Sequence, residues 1–538
     1  MKQLIYILFF IVFISSHFYF SRNQQFRPLG DNITYLIGAE SFYYDHDFVI
    51  SDKDFTRLAS NHPKVPIEHI PIIGKETSSG MQGVSKPLIF MMYLSFFTPI
   101  KEELLRAQIA NVILLFSWFV ILYFLVKKLR DKFSSHFIAV VLFLVLLFLS
   151  QANFYLNVFH PEIFINTLVI VSSLPLLISD NFSKKRYFYI FCGFIGSLLF
   201  SEKQLALFFP LVTAGYLFLS NKHKPFFSYI FGLFLGGLLT IFLYQVLYGT
   251  YTPYDGARGM IRFREEIVVF KAQGAAEIFT FPGQFVNRFN EYFFGRNIGV
   301  FIYNASFFIF IMFFIYFLIS KKIKLMLSFL PVFLYLLTYF LVISPYYSYG
   351  GATSLGNRYF FQVYVYVIIM IVLSTLKLSK IVEKSVVTLF FIQIITFSSL
   401  VYIGYYHLFP SAIKDHLIVP EHRRIFSIFP RELAYASLMY TDLPIENHWE
   451  NTFIINGGYP LIRDGENYRL NRPWTYVVFF KRVKQTDSVS DIIETNAKVD
   501  LVRSENNVYL YKLSCEGTLD ECVLKSKKVS RKAGSANG

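Results

Sequence analysis

The sequence predicts an α-helical polytopic membrane protein of about eleven spans, followed by a C-terminal extracytoplasmic domain of α/β or β-rich character. Three observations lead there. Of 538 residues, 54% are hydrophobic and only 16% are charged, against roughly 25% charged in a soluble domain. Apolar runs approaching the ~20 residues that a bilayer core requires recur along the first 405 positions. Lys and Arg gather in the short connections between alternate runs, the pattern of cytoplasmic loops. The composition excludes a disordered chain, a secreted disulfide scaffold and an ordinary cytosolic enzyme. A net charge of +15 would point to nucleic acid in a soluble protein. Here topology accounts for it, and no nucleic-acid partner is implied.

The spans fall near 3–20, 107–126, 134–150, 163–179, 187–200, 204–220, 226–247, 298–319, 325–343, 359–376 and 384–405. The first has a lone Lys2 before it and no small-residue cleavage site after it, so it reads as a retained helix. With a cytoplasmic N-terminus, the even-numbered connections face the cytoplasm. They hold Lys127, Lys128, Arg130, Lys132, Lys184, Lys185, Arg186, Lys222, Lys224, Lys321, Lys322, Lys324, Lys377, Lys380 and Lys384, with only Asp131, Asp180 and Glu383 against them. Every short loop agrees with the positive-inside rule. The same parity puts 21–106, 151–162, 201–203, 248–297, 344–358 and the tail from 406 outside. Residues 1–405 then form a transmembrane domain, 406–531 an extracytoplasmic domain and 532–538 a flexible tail. Lacking retention or transit signals, the chain is expected in a bacterial inner membrane.

Within the first outer loop, residues 86–100 are apolar but short and carry Pro87 and Pro99, which suits an interfacial or re-entrant segment. Residues 101–106 are an amphipathic link to the second span. In the tail, Phe453–Ile455, Thr475–Val483 and Val508–Leu513 have the β-branched and aromatic content of strands. Cys515 and Cys522 lie there, as a disulfide or as two free thiols; with Cys192 they show no metal-ligand spacing.

Unusual polar groups flank the outer span ends. The spacing from Tyr35 to Phe42 suits one helix with Asp31 near its start. Asp31 fits two roles there, a capping acid or a general base that takes a proton from an acceptor hydroxyl. Asp45 and Asp47 read as loop solvation. His160-Pro161-Glu162 closes the loop after the third span; Pro161 starts the next helix, and Glu162 suits its first turn or a substrate. As a metal pair, two ligands at i, i+2 are a weak signal.

Cations also occur outside, where topology gives no reason for them: Lys203, Arg258, Arg262, Arg264, Arg296 and Arg358. Lys203 has Glu202 as a pairing partner, and interfacial Arg is often an anchor. Several together suit an anionic ligand, since the guanidinium fork matches phosphate and nearby Gly-rich loops admit backbone approach. One carboxylate for an acceptor and several cations for a phosphate match sugar transfer from a polyprenyl-phosphate carrier, whose leaving phosphate Lys or Arg stabilises. Asn32-Ile33-Thr34 formally matches a glycosylation acceptor, but a glycan beside Asp31 would obstruct that site.

These residues resemble the GT-C-type glycosyltransferases, polytopic enzymes with lipid-linked sugar donors such as the dolichyl-phosphate-mannose–protein mannosyltransferases. The likeness rests on Gly30-Asp31-Asn32-Ile33-Thr34-Tyr35, Ser41 to Phe48, His160-Pro161-Glu162, Phe294-Gly295-Arg296-Asn297-Ile298-Gly299 and Gly350-Gly351 with Gly356-Asn357-Arg358-Tyr359-Phe360. It covers roughly residues 1–405. The resemblance implies an inverting transfer with Asp31 as base, needing no cofactor, metal-independent or weakly metal-linked. Many members carry a second acid directly after that Asp; this chain has Asn32, with Glu40 as the nearby substitute. Tyr35, His160, Glu162 and the outer cations would bind substrate. The acceptor would be a lipid, polysaccharide or protein. The competing readings are a lipid-linked-glycan flippase or transporter and an O-antigen polymerase or ligase-like enzyme. Against the first, the spans are nearly free of charge and the two halves show no repeat.

Overall fold

The computed structural model describes residues 2–21, 30–63, 72–77, 81–148, 155–178, 185–251, 258–261, 268–270, 293, 300–304, 306–340, 358–377, 452–455, 461–464, 467–470, 474–480, 493–505, 508–516 and 523–526. The chain divides into two units, Met1–Tyr402 and Ile403–Gly538.

The first unit is built of helices: α1 (Lys2–Ser21), α2 (Gly30–Asp45), α3 (Asp52–Asn61), α4 (Leu88–Ser95), α5 (Glu103–Leu129), α6 (Phe133–Phe148), α7 (Glu162–Ser172), α8 (Arg186–Glu202), α9 (Phe208–Leu219), α10 (His223–Tyr248), α11 (Ser306–Ile319), α12 (Leu330–Thr338) and α13 (Arg358–Lys377). Among the described residues, four helices are long and apolar enough to cross a membrane: α1, α5, α10 and α13. The apolar helices α6, α7, α9 and α11 are shorter than a straight crossing of a ~30 Å core requires. The run expected over 163–179 is broken at Ser173, after which a single turn, Leu174–Leu177, carries Pro175. Proline has no N–H to continue the hydrogen-bond ladder, so the apolar run divides there. The run expected over 384–405 lies outside the described residues.

Helix α10 shows why these helices suit hydrocarbon. Phe227, Phe231, Phe234, Leu238, Phe242 and Val246 are exposed along one stripe at helical spacing. A contiguous apolar face of that size is unstable against water. Its opposite face packs on α8 through glycines. A Cβ at Gly232 would lie 2.1 Å from the Ile190 carbonyl oxygen, and one at Gly193 would lie 2.1 Å from that of Tyr229. Backbones approach this closely only where side chains are absent. Cys192, free and buried, sits in this seam beside Tyr229 and Leu217.

At one end of the bundle, Lys2 Nζ meets the Asp131 carboxylate at 2.7 Å, tying the start of α1 to the α5–α6 connection. At the other end a small sheet joins two distant loops. Strands β1 (Ile72–Glu76), β2 (Gln82–Val84), β3 (Arg258–Ile261) and β4 (Val268–Phe270) lie in the order β2-β1-β3-β4. The β1–β3 register pairs Lys75 with Arg258. Lys75 Nζ donates to Thr250 Oγ1 at 2.8 Å and lies 4.7 Å from the Tyr248 ring centre, which docks the sheet on the end of α10. There Gly249 closes the helix with φ 65°, a left-handed conformation that glycine adopts without strain.

In the second unit the described elements are strands: β5 (Thr452–Ile455), β6 (Leu461–Asp464), β7 (Asn467–Leu470), β8 (Trp474–Phe480), β9 (Ile493–Thr495), β10 (Lys498–Glu505), β11 (Val508–Ser514) and β12 (Val523–Ser526). They form two antiparallel sheets, β10-β11-β8-β5 and β6-β7-β12-β9. The strands expected from composition at 453–455, 475–483 and 508–513 are β5, β8 and β11, with β8 ending at Phe480. Cys515 is disulfide-bonded.

Candidate functional site

The ends of six helices meet on one side of the bundle. They are the C-terminal ends of α1, α8 and α10 and the N-terminal ends of α5, α7 and α13, linked by the contacts below. Helix α2 packs against them and is buried from Asn32 to Ser41, with Tyr43 and Tyr44 exposed in its last turn. Its approach to α4 is so close that a Cβ at Gly38 would lie 2.3 Å from Met91 Sδ. The expected helix from Tyr35 to Phe42 is thus present, and Asp31 sits in its first turn; the Asp31 side chain lies outside the described residues. Asn32 and Thr34 are fully buried, so the Asn32-Ile33-Thr34 triplet is closed to glycosylation in the folded chain.

Two turns on, Glu40 is committed to a buried ion cluster. Its carboxylate takes hydrogen bonds from His62 Nε2 at 2.7 Å, Arg106 Nη1 at 3.1 Å and Asn61 Nδ2 at 3.2 Å. His62 Nδ1 lies 2.8 Å from Glu103 Oε1, and Arg106 Nη2 donates to Thr98 Oγ1 at 2.6 Å. Burial pushes Glu40 up, but the hydrogen bond and charge of His62, the Arg106 charge and the Asn61 bond hold it below its ordinary range. Burial pulls the His62 imidazole down, and its bonds to Glu103 and Glu40 outweigh that and raise it to about 9. A free histidine titrates near 6.5, so the contribution of His62 to stability is complete below about 6.5 and is lost as pH rises through about 9. The thermal midpoint should therefore fall across that window, and the fall should shrink in His62→Gln; equal slopes in the two proteins would exclude this cluster as the source.

The loop between α6 and α7 is fixed from below by α5. Asn111 Nδ2 reaches the carbonyls of Tyr155 at 2.9 Å, Leu156 at 3.4 Å and Val158 at 3.1 Å. Asn157 Oδ1 accepts from Gln108 Nε2 at 2.8 Å and lies 3.0 Å from His17 Nε2 at the end of α1. This loop ends in His160, whose Nδ1 stands 3.1 Å from Glu162 Oε2 at the start of α7, off the line of a hydrogen bond. Both residues are buried. Pro161 precedes the helix, as its position in the chain implies.

Aromatic rings complete a circuit. Tyr35 makes edge contacts with Phe90 at 5.1 Å and with His160 at 6.0 Å between ring centres. Lys86 Nζ lies 5.6 Å from the centre of the same Tyr35 ring. Tyr155 lies 6.1 Å from His160 and stacks on Phe361 of α13 at 4.7 Å. On α13, Tyr359 carries Lys203 Nζ 4.2 Å from its ring centre. Glu202 turns away from Lys203 and accepts the Phe90 N–H at 3.1 Å, while Tyr244 Oη accepts the Leu88 N–H at 3.3 Å. Side chains from α8 and α10 thereby satisfy the first N–H groups of α4, whose N-cap, Pro87, offers no side-chain acceptor.

Of the residues expected to act, Tyr35, His160, Glu162 and Lys203 are in this circuit and Glu40 is in the ion cluster beside it. Arg258 begins β3 and Arg358 begins α13, with their side chains outside the described residues, as are Arg262, Arg264 and Arg296 altogether. Lys86, His62, Arg106, Asn111 and Asn166 were not among the expected site residues, and Glu202 was expected only as the partner of Lys203. Asn166 bonds the Phe361 carbonyl at 2.6 Å and the Val365 N–H at 3.1 Å, clamping α7 to α13. The one signal for such groups is a polar residue inside an apolar run, which names no partner. Among the described residues no three His, Cys, Asp or Glu side chains converge to hold a metal ion.

The class these features define is a helical membrane protein with a polar, aromatic-lined cluster where alternate helix ends meet. No family model, curated protein or solved structure matches the chain.

Proposed function

We propose that the protein is an integral-membrane glycosyltransferase that moves a sugar from a polyprenyl-phosphate carrier to an extracytoplasmic hydroxyl. The observation that supports this reading is the circuit itself. Residues as far apart in the chain as Tyr35 and Phe361 come together, and two lysines, Lys86 and Lys203, lie over tyrosine rings within it. In the proposed reaction Asp31, one helical turn before Tyr35, takes the acceptor proton as the new C–O bond forms. The bond from the anomeric carbon to the phosphate oxygen breaks, and the cations, with Arg258, Arg262, Arg264, Arg296 and Arg358 among them, stabilise the departing charge. Glu40, already bonded to His62 and Arg106, serves to position α2.

The proposal includes eleven spans, a cytoplasmic N-terminus in a bacterial inner membrane and an extracytoplasmic second unit. The alternation of helix ends in the cluster supports that parity. The test is transfer of radiolabelled hexose from a polyprenyl phosphate in membranes carrying the full chain. Asp31→Asn should lower turnover by about 100-fold or more, the usual worth of a general base. Arg358→Ala should weaken donor binding, and unchanged affinity would remove Arg358 from the phosphate site. Unchanged transfer by Asp31→Asn would sink the base assignment.

A further inference from the structure

We infer that His160, beside Glu162, is the hydrogen-bond acceptor for one hydroxyl of the transferred sugar and so sets which sugar the enzyme accepts. This rests on the glycosyltransferase reading and gives a role to a pair that the proposed chemistry leaves unused. His160 is 4% exposed. Its Nδ1 faces the Glu162 carboxylate at 3.1 Å, while Nε2 makes no hydrogen bond among the described residues. The pair is off the line of a hydrogen bond, but the negative charge of a carboxylate 3.1 Å from Nδ1 still favours the tautomer with the proton there, which leaves Nε2 as an acceptor. Glu162 stands in the first turn of α7, where the helix dipole favours negative charge.

The acceptor is rigid. Asn111 holds the preceding loop through three backbone carbonyls, and the Tyr35 and Tyr155 rings flank the imidazole. Groups locked this way hold a ligand atom to one geometry. The Tyr35 ring also carries Lys86, so one tyrosine separates a cation from a hydroxyl acceptor. A sugar phosphate presents the same order of groups, with the phosphate at one side of the pyranose and a hydroxyl at the other. A site built around such an acceptor rejects the analogue lacking the hydroxyl, because its own buried polar atom is then left unpaired.

The experiment uses membranes carrying the full chain, polyprenyl-phosphate glucose, galactose and mannose, and singly deoxygenated forms of whichever sugar is transferred. Wild type should lose about 100-fold or more in kcat/KM on one deoxy donor, as hydrogen-bonding sites do. His160→Leu should treat that donor and its parent alike, and His160→Gln, which keeps an acceptor, should retain part of the discrimination. Thiol labelling of buried Cys192 reports whether each variant is folded. The subsite is overturned, with the transferase reading intact, if wild type uses every deoxy donor like its parent or if His160→Leu discriminates as wild type does. Absence of any transfer by wild type overturns the transferase reading and the subsite with it.

Discussion

Glu40→Leu is expected to destabilise the protein by about 3–5 kcal/mol, the cost of leaving a buried charge without its counterion. Arg106 is fully buried and Glu40 is 3% exposed, so neither charge has water to fall back on. Among the described residues, removing the carboxylate leaves the Arg106 guanidinium with a hydrogen bond to Thr98 and the Phe159 ring beside it, and leaves His62 with its bond to Glu103. The double variant Glu40→Leu/Arg106→Leu should recover part of the loss, because no uncompensated charge then remains. Thermal unfolding followed by thiol labelling of Cys192 gives the measurement. A single variant within 1 kcal/mol of wild type, by the order-of-magnitude scale for buried pairs, would show that the cluster is not the buried network described.

Gly232→Leu is the second large effect, and it acts through the α8–α10 seam. Its new Cβ would fall 2.1 Å from the Ile190 carbonyl oxygen and 2.8 Å from the Phe194 nitrogen. Both obstacles are backbone, so no rotamer change relieves them and the helices must part. Overpacking of a fitted core costs typically about 1–3 kcal/mol, and a clash with backbone belongs at or above the top of that range. Gly237→Leu is the control, since a Cβ at Gly237 meets nothing within 4 Å. Cys192, one residue from Gly193, should label faster in native membranes carrying Gly232→Leu and at the wild-type rate in Gly237→Leu. Equal labelling in the two would mean that α8 and α10 do not depend on this contact.

The helices were legible to within a few residues at α1, α5, α10 and α13, whereas the runs expected over 298–319 and 325–343 are each divided, at Asn304 and at Ser328. Helix α2 was legible from the spacing of Tyr35 and Phe42, while the run of 86–100 carrying Pro87 and Pro99 was legible as too short to span, and α4 occupies part of it. The break at Ser173 was not, because a proline inside an apolar run kinks some helices and ends others, and neighbouring packing selects the outcome. Lys203 shows the same division. Its position outside the expected topology marked it as unusual, but Glu202 was its obvious partner in the chain. In the fold Glu202 reaches the Phe90 N–H, and Lys203 lies over Tyr359, 156 positions away.

Hydropathy and charge are properties of short stretches, and the cost of placing each stretch in hydrocarbon or water is paid locally. The chain therefore carries its membrane class, its helix-forming runs and its expected orientation in a form that needs no partner to read. Partnership is another matter. The meeting of Glu40 with Arg106, of His160 with Tyr35, and of β1 with β3 depends on which helices pack together and at what separation. Gly193 and Gly232 set one such separation, and Asn166 sets another. A glycine, an asparagine or a histidine in an apolar run has the same local cost wherever it faces, so its consequence exists only once the neighbouring helix is in place.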